Sequence, residues 1–349
     1  MIQELSPRLF SHLPRQDQRG KGVTYLRGLL TAPGRKSIRN IATFDGADVS
    51  AQALHHFICH STWDWDSFRR RLTRHVVDTV PPEAWVIAPM VFPKAGEHSV
   101  GVERAFAPTA GRLLNAQRVV SVWAASDALA APVNWRLLLP HTWLADDERR
   151  FRSSIPEELE CERWDECIVN AYRAVPRRGE LPVLPVVLDA RDLPVLEISR
   201  ALRELGAPVL LRVNGMLQLE ANDASLPGPG QSQATAQRIM TAAAQLRRPT
   251  TRSVSTATVR VTTTTGTEMD LLGVWYNGDS WPAELWVTDH VTASAAELVR
   301  LTRLIDRVEK CATTIAHAVG MRDYSGRTFG GWHRHMSLVS AAHIIRAMS

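Results

Sequence analysis

No apolar run in this 349-residue sequence is long enough to cross a bilayer, and the N-terminus lacks an apolar signal core. A cytoplasmic protein with no membrane partner is the expectation. Cysteine is scarce: Cys59, Cys161, Cys167 and Cys311 follow no close metal-ligand spacing, which predicts reduced thiols and no cysteine metal centre. Beyond residue 80 the chain has no net charge, with 29 basic and 29 acidic residues. The whole formal excess of +5 lies in residues 1–80, which hold 12 Lys and Arg against 7 Asp and Glu. That imbalance suits a polyanion partner, or simply a solvated helical surface. The most informative absence is local. "AWVIAPMVFPKAGEHSVG" (84–101) reads as a buried strand (Trp85, Val86, Ile87) running out into a glycine-bearing loop, and strand tips in open α/β sheets usually carry catalytic side chains, whereas this tip carries Ala88, Pro89 and Met90. Yet no carboxylate occurs between Glu83 and Glu97.

What is present is ordinary globular patterning, 45% apolar and 22% charged. Residues 20–80 read as helices: Tyr25, Leu26, Leu29 and Leu30 recur at helical spacing, Pro33-Gly34 interrupts, and "GRKSIRNIATF" restarts. "SAQALHHFICH" and "WDWDSFRRRLTRHVVDTV" predict two more helices, the latter with Asp64 or Asp66 near its start. His55, His56 and His60 are read as core or surface residues, since only His56 and His60 share a helix face, at i, i+4. "RVVSVWAAS" and "APVNWRLLLP" predict an antiparallel hairpin. A helix over 162–175, a strand ending at Asp189, a helix and a strand over 208–215 follow, the order of a mixed α/β sheet. Residues 219–255, rich in Ser, Thr, Gln, Pro and Gly, read as a loop. Three short strands come next, and then one helix over 294–320 with Leu298, Leu301, Ile305 and Val308 on a single face.

Several strings occur in order along nearly the whole chain: "YLRGLL", "GRKSI", "ALHHFICHSTWDWD", "FPKAGEHSVGV", "NAQRVVSV", "VNWRLLLPHTW", "VVLDA" and "GRTFGGWHRHMSLVSAAH". Together they resemble the DDE-type transposases of bacterial insertion sequences, the DDE superfamily endonuclease group. The resemblance implies an α/β fold: an RNase H-like mixed sheet with a helical N-terminal region and an inserted β subdomain. It divides the chain into a basic, helical DNA-binding region (1–80), a first part of the core (81–215), a loop and β insertion (216–290) and C-terminal core helices (291–349). It implies DNA as partner and leaves a homodimer open. The implied chemistry uses two Mg²⁺ ions held by two Asp and one Glu.

Carried over by position, the second Asp is Asp189 and the Glu is Glu309. The first Asp belongs to an Asp-Asp-Thr-Gly-Phe-Pro-Lys stretch that here begins Ala88-Pro89-Met90. Magnesium takes oxygen ligands, which Ala88 and Pro89 lack. Glu97 or Asp127 would need backbone rearrangement to stand in. The expectation is a nuclease-inactive, domesticated DNA-binding protein, in which Mg²⁺ is not bound and Asp189 caps a helix or pairs with an arginine. Arg35, Lys36, Arg39, Arg69, Arg70, Arg71 and Arg74 are the predicted phosphate contacts. Arg334, with Arg327, Trp332, His333 and His335, forms either a second contact surface or a core cluster. The alternative function is chemistry on a small molecule in a pocket of Lys94, His98, His141 and His333 beside the remnant carboxylates.

Overall fold

Several helix starts in this chain are set by side-chain caps. Ser50 Oγ accepts from Ala53 N (3.2 Å), and the Asp64 carboxylate accepts from Asp66 N (2.8 Å) and Ser67 N (3.1 Å), satisfying amides that have no intrahelical acceptor. The computed structural model describes residues 2–44, 49–107, 111–175, 181–222 and 233–349. Its elements are α1 (Ile2–Phe10), α2 (Gln16–Thr31), α3 (Ile38–Phe44), α4 (Ala51–Cys59), α5 (Trp65–Thr79), β1 (Ala84–Pro93), β2 (Val102–Ala107), β3 (Arg112–Ala125) and β4 (Ala130–Leu137). After these come α6 (His141–Leu144), α7 (Asp147–Arg152), α8 (Trp164–Arg173), β5 (Val186–Asp189), α9 (Val195–Glu204), β6 (Val209–Val213), β7 (Gln218–Ala221), β8 (Gln233–Thr235) and α10 (Ala236–Ala242). The remainder comprises β9 (Arg248–Pro249), β10 (Val254–Thr263), β11 (Glu268–Tyr276), β12 (Glu284–Thr288), α11 (Ala295–Thr302), α12 (Leu304–Cys311) and α13 (Phe329–Ala347). Among the described residues no helix is long and apolar enough to cross a membrane.

The chain divides into two units. The first holds Met1–Pro82, Ala88–Leu181 and Val308–Ser349. Here β3 pairs antiparallel with β2 through Val102↔Gln117 to Ala107↔Arg112, and with β4 through Val119↔Leu137 to Ala125↔Ala130. Helix α13 packs on β4, α2, α4 and α5. It is buried almost throughout, including Trp332, Met336, Leu338 and Ile344. Gly331 permits its approach, since a Cβ there would stand 2.3 Å from Tyr324 Oη and 3.3 Å from Cys59 Cα. Gly34, at φ +63°, makes the turn after α2 that the Pro33-Gly34 pair predicts.

The second unit holds Glu83–Ile87 and Pro182–Arg307. The first residues of β1 pair in parallel with β5 (Trp85↔Val186, Ile87↔Leu188), and β5 pairs in parallel with β6. The inserted strands extend this sheet: β12 lies antiparallel on β6, β11 on β12 and β10 on β11. Mixed pairing of this kind, with helices, is the RNase H-like arrangement.

Two expectations need correction. Residues 219–255 are not one loop: β7, β8, α10 and β9 fall in this stretch, and 223–232 lies outside the described residues. The reason is a short amphipathic helix hidden in a polar stretch. Ala236, Ile239, Met240 and Ala243 are buried at helical spacing, and Thr235 Oγ caps it at Arg238 N (3.3 Å). The helix expected over 294–320 is broken at Arg303 and passes into a π turn at Ala312–Ala316. Threonine hydroxyls take backbone carbonyls there: Thr302 bonds Val299 O (2.8 Å), Thr313 bonds Glu309 O (2.9 Å) and Thr314 bonds Lys310 O (2.6 Å). Such local bonds compete with the regular helical ladder.

Candidate nucleic-acid interface

Helix α5 has two faces of opposite character. Phe68, Arg69, Leu72, Thr73 and Val76 are buried, whereas Arg70, Arg71, Arg74 and Asp78 are exposed. The exposed face lines a cleft of ≈ 600 Å³ together with Arg8 of α1 and His75. Four guanidiniums against the single carboxylate of Asp78 give this cleft a strongly positive field. Arg70 is partly engaged, donating to Ser67 Oγ (2.6 Å) and standing 3.6 Å from Asp64. Desolvation, and then the Arg8 charge, push His75 below its ordinary value. A cleft of this sign is suited to phosphate groups.

The buried face corrects the expectation for Arg69. Only 4% exposed, it donates from Nε to Ser337 Oγ (2.8 Å), from Nη1 to Asn134 Oδ1 (3.0 Å) and Trp135 O (2.9 Å), and from Nη2 to His333 O (3.1 Å) and Nδ1 (3.2 Å). All its acceptors are neutral, and burial disfavours its charge. It ties α5 to α13 and β4 and has no access to a phosphate. Arg334 is also buried, donating to Trp63 O (3.2 Å) and Ile58 O (3.1 Å) beneath the ring of Trp65. Lys36 is buried too and donates to Ala32 O. Arg35 and Arg39 are exposed, as a phosphate contact requires. The cluster of Trp332, His333 and His335 is core: all three are buried, and His333 stacks on Trp65 at 5.0 Å. His335 Nε2 donates to Gly320 O (2.9 Å), which leaves Nδ1 to accept from the Tyr25 hydroxyl (2.9 Å). Arg327 alone of that group is exposed.

The residues expected to share one pocket are dispersed. Lys94 donates from Nζ to Arg322 O (2.9 Å) and Tyr324 O (2.8 Å), while burial, then the Arg35 charge, lower it to about 8. His98 lines a separate cleft of ≈ 500 Å³ with Glu97, Trp143, Asp146, Arg149 and Arg327. His333 faces only a ≈ 40 Å³ hollow, and His141 is exposed at the start of α6. His55, His56 and His60 are exposed, their rings 5.4 and 6.0 Å apart in the 55–60 and 56–60 pairs.

The strand expected to end near Ala88 runs on to Pro93, so Ala88 and Pro89 lie inside β1, and neither brings a side-chain oxygen. Asp189, the last residue of β5, is held by Arg191: Nε stands 2.9 Å from Oδ1 and 3.1 Å from Oδ2, and Nη2 2.6 Å from Oδ2. Arg212 Nη1 lies 3.9 Å away and bridges to Glu284 (3.3 Å). Glu309 is exposed on α12. Among the described residues no group of three His, Cys, Asp or Glu side chains is placed to hold a metal ion. A carboxylate already neutralised by a bidentate guanidinium does not fit the oxygen-rich shell of Mg²⁺.

Helical phase would have separated Arg69 from Arg70 in the sequence, because 69, 72, 73 and 76 fall on the apolar side. Arg8 of α1 carries no such local signal; it joins the cleft only through packing of α1 on α5. Comparison with curated proteins gives no match. Residues 8–270 match the family model described as DDE superfamily endonuclease, a span that includes Ala88, Pro89 and Asp189 but not Glu309. With three quarters of its length matched, the chain belongs to the DDE superfamily endonuclease family, that of the DDE-type transposases.

Proposed function

We propose that this chain is a domesticated, nuclease-inactive member of its family that binds DNA in the cytoplasm as a transcriptional regulator. The observation that carries the reading is the state of Asp189, whose two oxygens are occupied by Arg191 where the family places a metal ligand. The DNA contact is assigned to the cleft of Arg8, Arg70, Arg71 and Arg74, supported by the exposed Arg35 and Arg39. Binding through phosphates releases counterions, so affinity should fall steeply between about 50 and about 200 mM salt. An electrophoretic shift series across that range, wild type beside R70A/R71A/R74A, tests it. The triple variant should lose affinity for every sequence and its salt slope should shrink by about 3. Equal binding by both proteins sinks the assignment.

A second reading, chemistry on a small molecule, is favoured by one observation. The ≈ 500 Å³ cleft that places His98 beside Glu97 and Arg327 lies in the size range of ligand sites. Wild type that binds no duplex at any salt would move this reading forward.

A further inference from the structure

The hairpin of β2 and β3 ends in a feature that the charged cleft does not use. Strand β1 stops at Pro93, and the amide of Lys94 makes its bond to Asn115 O (2.8 Å). Beyond that bond, β3 residues 112–114 pair with 105–107 of β2 as a two-stranded ribbon. Phe106 and Leu113 are register partners on it, and each is 58% exposed. Among the described residues, no other two large exposed apolar side chains face each other across a ladder. Side chains alternate along a strand, so Arg104 shares the face of Phe106 and Leu113, with Asn115 opposite it, while Arg112 takes the other face; both arginines are exposed. The one acid on these two strands, Glu103, is half-buried on the opposite face from Phe106.

An exposed apolar pair at a strand end is a liability for a protein unless something covers it. A second copy docked isologously would bring the arginine-bearing faces together, like charge against like. Duplex DNA suits this ribbon on three counts. A two-stranded ribbon fits the major groove, apolar side chains there meet the thymine methyl groups, and flanking arginines meet phosphates. We propose that the β2–β3 ribbon enters the major groove, with Phe106 and Leu113 against thymine methyls and Arg104 and Arg112 on the backbone. This rests on the DNA-binding reading above and adds a base-reading element to it.

The test uses the full chain and two duplexes of one A·T-rich sequence, one with thymine and one with deoxyuridine, which lacks the methyl group. Wild type should bind the thymine duplex more tightly, by roughly fourfold for each methyl contact. F106A/L113A should bind both duplexes equally, with its melting temperature unchanged because both side chains are exposed. R104A/R112A should keep the thymine preference and show a salt slope smaller by about 2. Wild type that binds both duplexes equally overturns the ribbon proposal alone. Wild type that binds neither overturns it together with the DNA-binding reading. A change of oligomeric state in F106A/L113A, with the thymine preference kept, assigns the pair to a second copy and also overturns it.

Discussion

The seam between α5 and α13 and the outer face of α5 are built with the same residue type to opposite ends. In the seam, Arg69 spends its guanidinium on five neutral acceptors and locks two helices to a strand. One residue further on, Arg70 opens into a cleft it shares with Arg8, Arg71 and Arg74. The difference lies in helical phase, not in composition. A count of basic residues therefore overstates the charge available to a partner, since Lys36, Arg69 and Arg334 are structural.

Acid should separate the two regions most. Burial pushes His335 and His343 of α13 down to about 4, and His333 in the seam well below 6.5. The folded values lie below the unfolded 6.5, so as pH falls the unfolded chain takes up protons first. This stability is complete above about pH 6.5 and is lost as pH falls towards 4. By pH 5 the first two histidines alone should cost on the order of 4 kcal/mol, read as a falling urea midpoint between pH 7 and pH 5. A midpoint flat across that window would mean that these side chains are solvated.

Arg69→Met should come next. It strands Asn134 Oδ1, Trp135 O and two acceptors of His333, and should destabilise by about 3 kcal/mol or more in urea unfolding. The folded fraction should still bind DNA with unchanged affinity. R70A/R71A/R74A should do the reverse, losing affinity while stability stays within about 0.5 kcal/mol. If Arg69→Met weakened binding as much as the triple variant at equal folded fraction, the two faces would not be separate in function.

How far the sequence reveals this division depends on the range of the interactions. Local ones are legible: the caps of α4 and α5, the Pro33-Gly34 stop and the β3–β4 hairpin all follow from neighbouring residues. The break at Arg303 and the helix after Thr235 were obscured because threonines and alanines weaken the usual periodic signal. The loss of carboxylates at Ala88-Pro89 is plain in the sequence, and an arginine partner is one of two roles that the position of Asp189 allows. The partner Arg191, two residues away, is local. Contacts such as Arg69 to Ser337, or Arg8 joining the cleft, span distances along the chain that no local pattern encodes.

The smallest expected effect concerns Asp189 itself. Its pair with Arg191 is half-exposed, so Asp189→Asn should change stability by less than about 1 kcal/mol, as measured by thermal unfolding. Added Mn²⁺ should leave the wild-type melting temperature where it was. A clear rise with metal would mean that the guanidinium yields to a cation.

The most direct test of the central claim incubates wild type with supercoiled plasmid and Mg²⁺ or Mn²⁺, then reads binding and strand integrity on the same sample. The account predicts plasmid that is shifted by the protein and, after the protein is removed, still fully supercoiled. Metal-dependent nicking that disappears in Asp189→Asn would contradict it.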